Sequence, residues 1–340
     1  MSFRPVRFVC FFADRLIAFL KLWSLLLLLA NLPFLKANES DLSTVQNLVI
    51  PQFNEDGHLS WELHASQVTS KDSDTFLTTN PILYMFTDQI IDLTAKSSSG
   101  EFLLESGQAH GAGFFDLVGS GFRAKGNDWQ WVNSVDKGRN QMIFNQHGKV
   151  VFSSGLGGVF AYDLGGENSR CATGDEDSPQ GEEKNATIPT VAQANYLEFV
   201  STQKNSHLFS LDGNVSIEGD NLILTCDNIE VLFVKDGNGS NSEIGKISTM
   251  DAEGNVVLRQ GGRVSYADMM ALDVKVGTVL LTGRARVVDD EWGEARGESI
   301  VLEKGKRRAR VLGGKNTRPR LELPPLPDFG FRKKVKKKTQ

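Results

Sequence analysis

The side chains best suited to metal binding, redox work or acid–base catalysis are five histidines, three cysteines and a few adjacent acids. His58 and His64 share one face of an extended stretch, but about 20 Å of strand separates them, too far to ligate one ion. His110, His147 and His207 show no ligand spacing. Asp289-Asp290-Glu291 supplies neighbouring carboxylates, yet it reads as a solvated turn, whereas carboxylate catalysis needs two specifically spaced groups in a cleft. There is no glycine-rich phosphate loop and no nucleophile flanked by elbow glycines. Cys10, Cys171 and Cys226 give no disulfide framework, and Cys226, on an apolar strand face, reads as a small core residue. No catalytic residue, metal ligand or cofactor is therefore assigned, and the expected role is non-enzymatic.

What remains is scaffold, and its length of 340 residues suggests about two domains. Arg4, Arg7 and Arg15 precede an apolar stretch from Leu16 to Leu35, so residues 1–37 read as a secretory signal or a retained N-terminal membrane anchor. The net charge of −5 hides an asymmetry: from Lys304 onward fourteen Lys/Arg face two acids, against 23 basic and 40 acidic groups before it. An acidic body thus ends in a basic tail, suited to anionic headgroups, lipid phosphates or simple solubility. Nucleic acid is not an expected partner of an exported chain.

Alternation of period two begins at Leu59, Trp61, Leu63 and Ala65 and recurs, punctuated by glycine, to Phe152. Residues 48–152 form a first β module. Residues 153–190, with Gly155, Gly157, Gly158 and Asp175-Glu176-Asp177, read as an acidic disordered linker. Strands resume over 191–314, and 315–340 form a basic, Pro/Lys-rich disordered tail. Within the second module one phrase recurs, at Gly213-Asn214-Val215, Gly254-Asn255-Val256 and Gly283-Arg284-Ala285, suited to tight turns feeding new strands. Its starts are 41 and 29 residues apart, which disfavours a propeller or regular β-helix. Inward parity flips at Asp227-Asn228, which predicts a bulge or corner there.

Those stretches carry a resemblance. Phe209–Ile217, Leu224–Val231, Gly254–Leu258, Tyr266-Ala267-Asp268, Gly277–Gly283 and Ala295–Leu302 resemble the OstA-like family of lipopolysaccharide-transport proteins, the LptA type, with Cys226 where that family usually has alanine. Phe53–Ala65 followed by Pro81–Tyr84 resembles the LptC family, whose members are anchored in the inner membrane. The resemblance implies an all-β fold: two antiparallel β-jellyroll modules, each an open trough of V-shaped section. It implies a periplasmic location, lipopolysaccharide or a similar glycolipid as cargo, and other transport proteins, an inner-membrane transporter and an outer-membrane assembly protein, as partners. Self-association is left open.

Alternation places Leu59, Trp61, Leu63, Phe102, Leu104, Leu222, Leu224, Val256, Leu258, Tyr266, Val279, Leu281, Val287, Ile300 and Leu302 on the inward, lipid-facing side. Unpaired edges are expected at Tyr196, Leu197 and Phe199 and at Ala309 and Val311, where a partner could add a strand. The rival reading is a structural envelope protein that polymerises through its β modules without lipid. A glycan-modifying enzyme ranks third.

Overall fold

Period-two alternation becomes strand throughout: nineteen β-strands join one sheet, and no helix occurs among the described residues. The computed structural model describes residues 44–54, 56–103, 106–134, 139–156, 188–202, 206–235, 245–303, 309–314 and 318–324. Met1–Ser43 forms a unit of its own. The expected signal or anchor therefore lies outside the described residues, as do Leu104, nearly all of the linker and the tail from residue 325 on; within the stretch expected to be disordered, Arg320–Glu322 instead forms a strand.

The sheet is an antiparallel meander. β1 (Thr44–Phe53) pairs with β2 (Leu59–Ser70), which is faced by two short strands in line, β3 (Thr75–Thr79) and β4 (Ile82–Thr87). β5 (Ile90–Ser97) and β6 (Ser99–Leu103) repeat that split, and β7 (Gln108–Gly119) spans both. β8 (Phe122–Ser134) and β9 (Arg139–Phe152) follow. The next rung is split again into β10 (Thr190–Ala194) and β11 (Tyr196–Thr202), each paired with β9 on one side and β12 (Ser206–Gly219) on the other. β13 (Leu222–Val234), β14 (Lys246–Gln260), β15 (Arg263–Asp273), β16 (Thr278–Asp289) and β17 (Gly293–Glu303) each pair with the strand before. β18 (Ala309–Leu312) and β19 (Arg320–Glu322) share the last edge, along β17.

One expectation is corrected at once. Tyr196, Leu197 and Phe199 do not form an edge, because β11 is hydrogen-bonded on both sides. The apparent gap in the chain before Thr190 is bridged in space: β9 supplies the missing neighbour, and the two halves of the chain share a sheet.

The recurring glycine phrase is a corner. Gly213-Asn214, Gly254-Asn255 and Gly283-Arg284 each take two successive positive φ angles, and the register slips at each of them. The neighbouring strands turn the same corner with an acid, at Asp227 and Asp268. A Cβ on Gly283 would lie 2.6 Å from the Asp268 carboxylate, and one on Gly254 would strike that of Asp227, so glycine is required for approach as well as for dihedral. Two corner spellings therefore alternate along the sheet. The repeat counts hairpins rather than strands, and its spacing varies with the turns between them.

These corners align and fold the sheet into two walls. The first wall carries Val215–Gly219, Leu222–Cys226, Val256–Gln260, Arg263–Ala267, Ala285–Asp289 and Gly293–Gly297. The second carries Ser206–Asp212, Asn228–Val234, Lys246–Glu253, Met269–Asp273, Thr278–Thr282 and Ser299–Glu303. Their inner faces meet in a single apolar cluster that runs from Trp61 to Leu302.

Candidate functional site

The inner surface is built by parity. On β13, Leu222, Leu224 and Cys226 point inward before the corner and Ile229, Val231 and Phe233 after it, so the foreseen parity flip coincides with the register slip. Burial pushes the Cys226 thiol up to about 12, which keeps it neutral and suits it to packing rather than chemistry. Of the expected inward residues, Trp61, Leu63, Phe102, Leu222, Leu224, Val256, Leu258, Val279, Leu281, Val287, Ile300 and Leu302 are buried in the interior, and Leu59 is half-buried.

Tyr266 is the exception. It faces outward, 36% exposed, with the Arg286 guanidinium 5.4 Å from its ring centre. Inward parity on that half of β15 belongs to Arg263, Ser265 and Ala267, so an apolar side chain was a poor guide to the inner face. Arg263 lies opposite Asp289, and the two pair at 3.2 Å. Asp289 also accepts backbone N–H bonds from Glu291 and Trp292, at 3.0 Å and 3.2 Å. The acidic run is thus a turn braced from inside, with its first carboxylate engaged structurally. Among the described residues no group of three His, Cys, Asp or Glu is placed to hold a metal ion.

A seam of aromatic rings closes the two walls on each other. Phe122 and Phe152 stand on the first wall; Phe199, His207, Phe209 and Phe233 stand on the second. Ring centres approach to 5.5 Å for Phe122–Phe199, 5.1 Å for Phe152–Phe209 and 5.6 Å for Phe152–Phe233. His207 sits among these rings, 1% exposed, with no hydrogen-bond partner at either ring nitrogen among the described residues, and burial lowers its pKa to about 4. Alternation at Phe209, Leu211, Val231 and Phe233 could have located this seam from sequence, but nothing local reveals that the rings meet across the interior. Further along, Trp61 and Trp131 meet edge to face at 5.7 Å, and their buried indole N–H groups have no partner among the described residues.

The interior opens at the last edge. A cavity of about 360 Å³ lies between β18 and β19, lined by Val287, Ala295, Val311 and Leu321 with Trp292 and the Arg263–Asp289 pair at its rim. Sequence reasoning found Val287 and Val311 but missed Trp292 and Leu321, which stand alone between turn residues. At the other end, β1 pairs only with β2, and Leu48 and Ile50 are half-buried on the interior side, in register with Ala65 and Leu63. The described sheet thus has two free edges: β1, and the interrupted β18/β19. Ala309 and Val311 do lie on one of them. Among the described residues no helix is long and apolar enough to cross a membrane.

Residues 195–308 match the family model described as LptA/(LptD N-terminal domain) LPS transport protein. Residues 16–108 match the model for lipopolysaccharide-assembly, LptC-related. Among solved structures, LptH, the LptA-homologous periplasmic component of the conserved lipopolysaccharide transport device from Pseudomonas aeruginosa, is 18% identical. That alignment covers 41% of this chain and 96% of LptH, with a TM-score of 0.32. No curated protein sequence gives a significant match.

Proposed function

We propose that this chain, an LptC-like module running into an LptA-like one, is a non-enzymatic periplasmic component of lipopolysaccharide transport. It shields acyl chains between its two walls and joins envelope partners by edge-strand pairing. The observation that carries this reading is the unbroken apolar interior, continuous from the first module to the second and open at an edge. Transfer of each methylene from water is favourable by about 0.8 kcal/mol, so a many-chain lipid can be held without any reacting group. The 360 Å³ mouth is at the small end of ligand sites, about 300–1,000 Å³. A larger cargo must part the walls, and the aromatic seam is what it would displace.

The two free edges give the protein a direction. β1 offers one docking strand and β18/β19 the other, so partners can extend the sheet at either end, as β9 and β11 extend it internally. On this reading an inner-membrane transporter and an outer-membrane assembly protein are the partners at its ends, with the N-terminal segment as an inner-membrane anchor. Energy comes from that transporter. Mass spectrometry of lipid retained after gentle purification from lipopolysaccharide-producing cells tests the reading. Bound lipopolysaccharide is expected; a lipid-free protein that still associates through its edges would favour the structural rival.

A further inference from the structure

The inner lip of the first wall changes character along the sheet. Phe122 and Phe152 stand on it where the aromatic seam closes the walls. Toward the last edge it continues as one cross-strand row of Leu222, Gln260, Arg263 and Asp289. Gln260 and Arg263 are buried there although both are polar. One step deeper, Leu258, Ser265, Val287, Ala295 and Leu321 form the next row. It is apolar apart from Ser265, which is 1% exposed and whose hydroxyl has no hydrogen-bond partner among the described residues. The small residues Ala267, Ala285 and Gly297 lie deeper still, so this end of the interior keeps room that rings fill at the seam.

A buried hydroxyl left without a partner costs a fold stability, and this one stands beside Val287, which lines the cavity at the last edge. At the lip, Arg263 Nε and Nη2 both donate to Asp289 Oδ2 at 3.2 Å. That is longer than the roughly 2.7–2.9 Å of a tight charge-assisted bond, so a competing polar group meets a loose pair. Among the lining residues Arg263 and Arg320 balance Asp289 and Glu294 in charge, which gives an anion no advantage. Guanidinium donors beside carboxylate acceptors instead suit hydroxyl groups, which do both. Trp292, 57% exposed on the adjoining turn, adds a large amphipathic surface to the same cavity.

We propose that this lip seats the sugar end of an acylated glycolipid. Sugar hydroxyls bond the Arg263–Asp289 pair, the ring lies against Trp292, and the carbonyl that links sugar to acyl chain accepts from Ser265 Oγ. The chains then run down the apolar rows toward the corner. The order of polarity from the lip inward matches that of such a lipid: hydroxyl-binding pair, single donor, apolar surface. Arg263 and Ser265 are two residues apart on one strand, about 7 Å, the span of one sugar ring with its acyl linkage. The inference rests on the transport reading above and adds an orientation to it: the headgroup is held at the last edge, with the chains beneath it.

Affinities of the full-length protein for three probes test this: lipopolysaccharide, the same lipid after phosphatase treatment, and palmitate. Trp292→Ala and Ser265→Ala should each weaken binding of both lipopolysaccharide forms about three- to tenfold, as loss of one neutral contact does, and leave palmitate unchanged. Without lipid, Ser265→Ala should raise the urea midpoint, because it removes the unpartnered hydroxyl; a serine kept for structure would lower it. Equal lipopolysaccharide affinity in the parent and both variants would overturn the seat and leave the trough standing. Equal losses for palmitate would reduce both residues to apolar lining and overturn it too. A loss that disappears on dephosphorylation would assign the contact to phosphate and overturn the sugar assignment. Failure of the parent to bind either lipopolysaccharide or palmitate would instead remove the transport reading, and the seat with it.

Discussion

Glycine at the corners decides whether a strand can turn from one wall to the other. At Gly254 the φ of +77° and the neighbouring Asp227 carboxylate both exclude a side chain. Gly254→Ala is expected to cost about 1–3 kcal/mol in urea denaturation, as forced left-handed residues do. Asn255→Gly keeps the dihedral and forfeits only the exposed 2.9 Å bond from Asn255 Nδ2 to Asp227, so its cost should stay below about 1 kcal/mol. His207 makes a different prediction. Its pKa is about 4 in the fold against an ordinary 6.5, because burial disfavours the imidazolium. Folded stability is then complete above pH 6.5 and falls as pH drops toward 4, because the unfolded chain takes up a proton that the folded one refuses. The loss reaches about 3 kcal/mol, and His207→Phe should flatten it in pH-resolved denaturation. Glu294, held near 2 by Arg286 and Arg296, titrates in a lower window and does not mask the effect. An unchanged pH profile in the variant would assign the acid lability elsewhere.

At the scale of elements, alternation in sequence showed where strands run but not which strand is an edge. Tyr196 to Phe199 begins a module after a long polar gap, and only the fold reveals that β9 has already taken its free side. Ala309 to Leu312 is a four-residue strand on an open edge, and Gly297 lets it approach, since a Cβ there would meet Val311 at 2.6 Å. Val311→Pro should abolish strand addition by a partner in pull-down experiments while leaving the folded sheet intact, because proline removes a ladder donor. Undiminished partner capture would shift docking to β1. Between the halves, Asp92 on β5 pairs with Lys235 just beyond β13, both largely buried. Asp92→Asn is expected to cost about 1–3 kcal/mol by leaving Lys235 uncompensated, and a Lys235→Met change in the same protein should restore part of it in chemical denaturation.

At the scale of the whole molecule, two modules read as separate from a polar interval prove to share one sheet and one apolar cluster. The all-β class, the antiparallel pairing and most inward residues were legible because parity is a local property of a strand. Tyr266 was not, because the inner face there is carried by small and polar residues whose burial depends on the opposite wall. Nor was the aromatic seam, which joins residues as distant as Phe122 and Phe233. A shared sheet predicts that both modules unfold together, as one transition in calorimetry; two resolved transitions would mean the joint through β9 is weak. The central claim concerns what lies between the walls. A photoreactive benzophenone side chain can be placed at Val287, inside, at Leu321, at the mouth, and at Tyr266, outside. In cells making lipopolysaccharide, crosslinks to that lipid are expected from Val287 and Leu321 and not from Tyr266. Crosslinks from Tyr266 alone, or from none of the three, would contradict a trough that carries acyl chains.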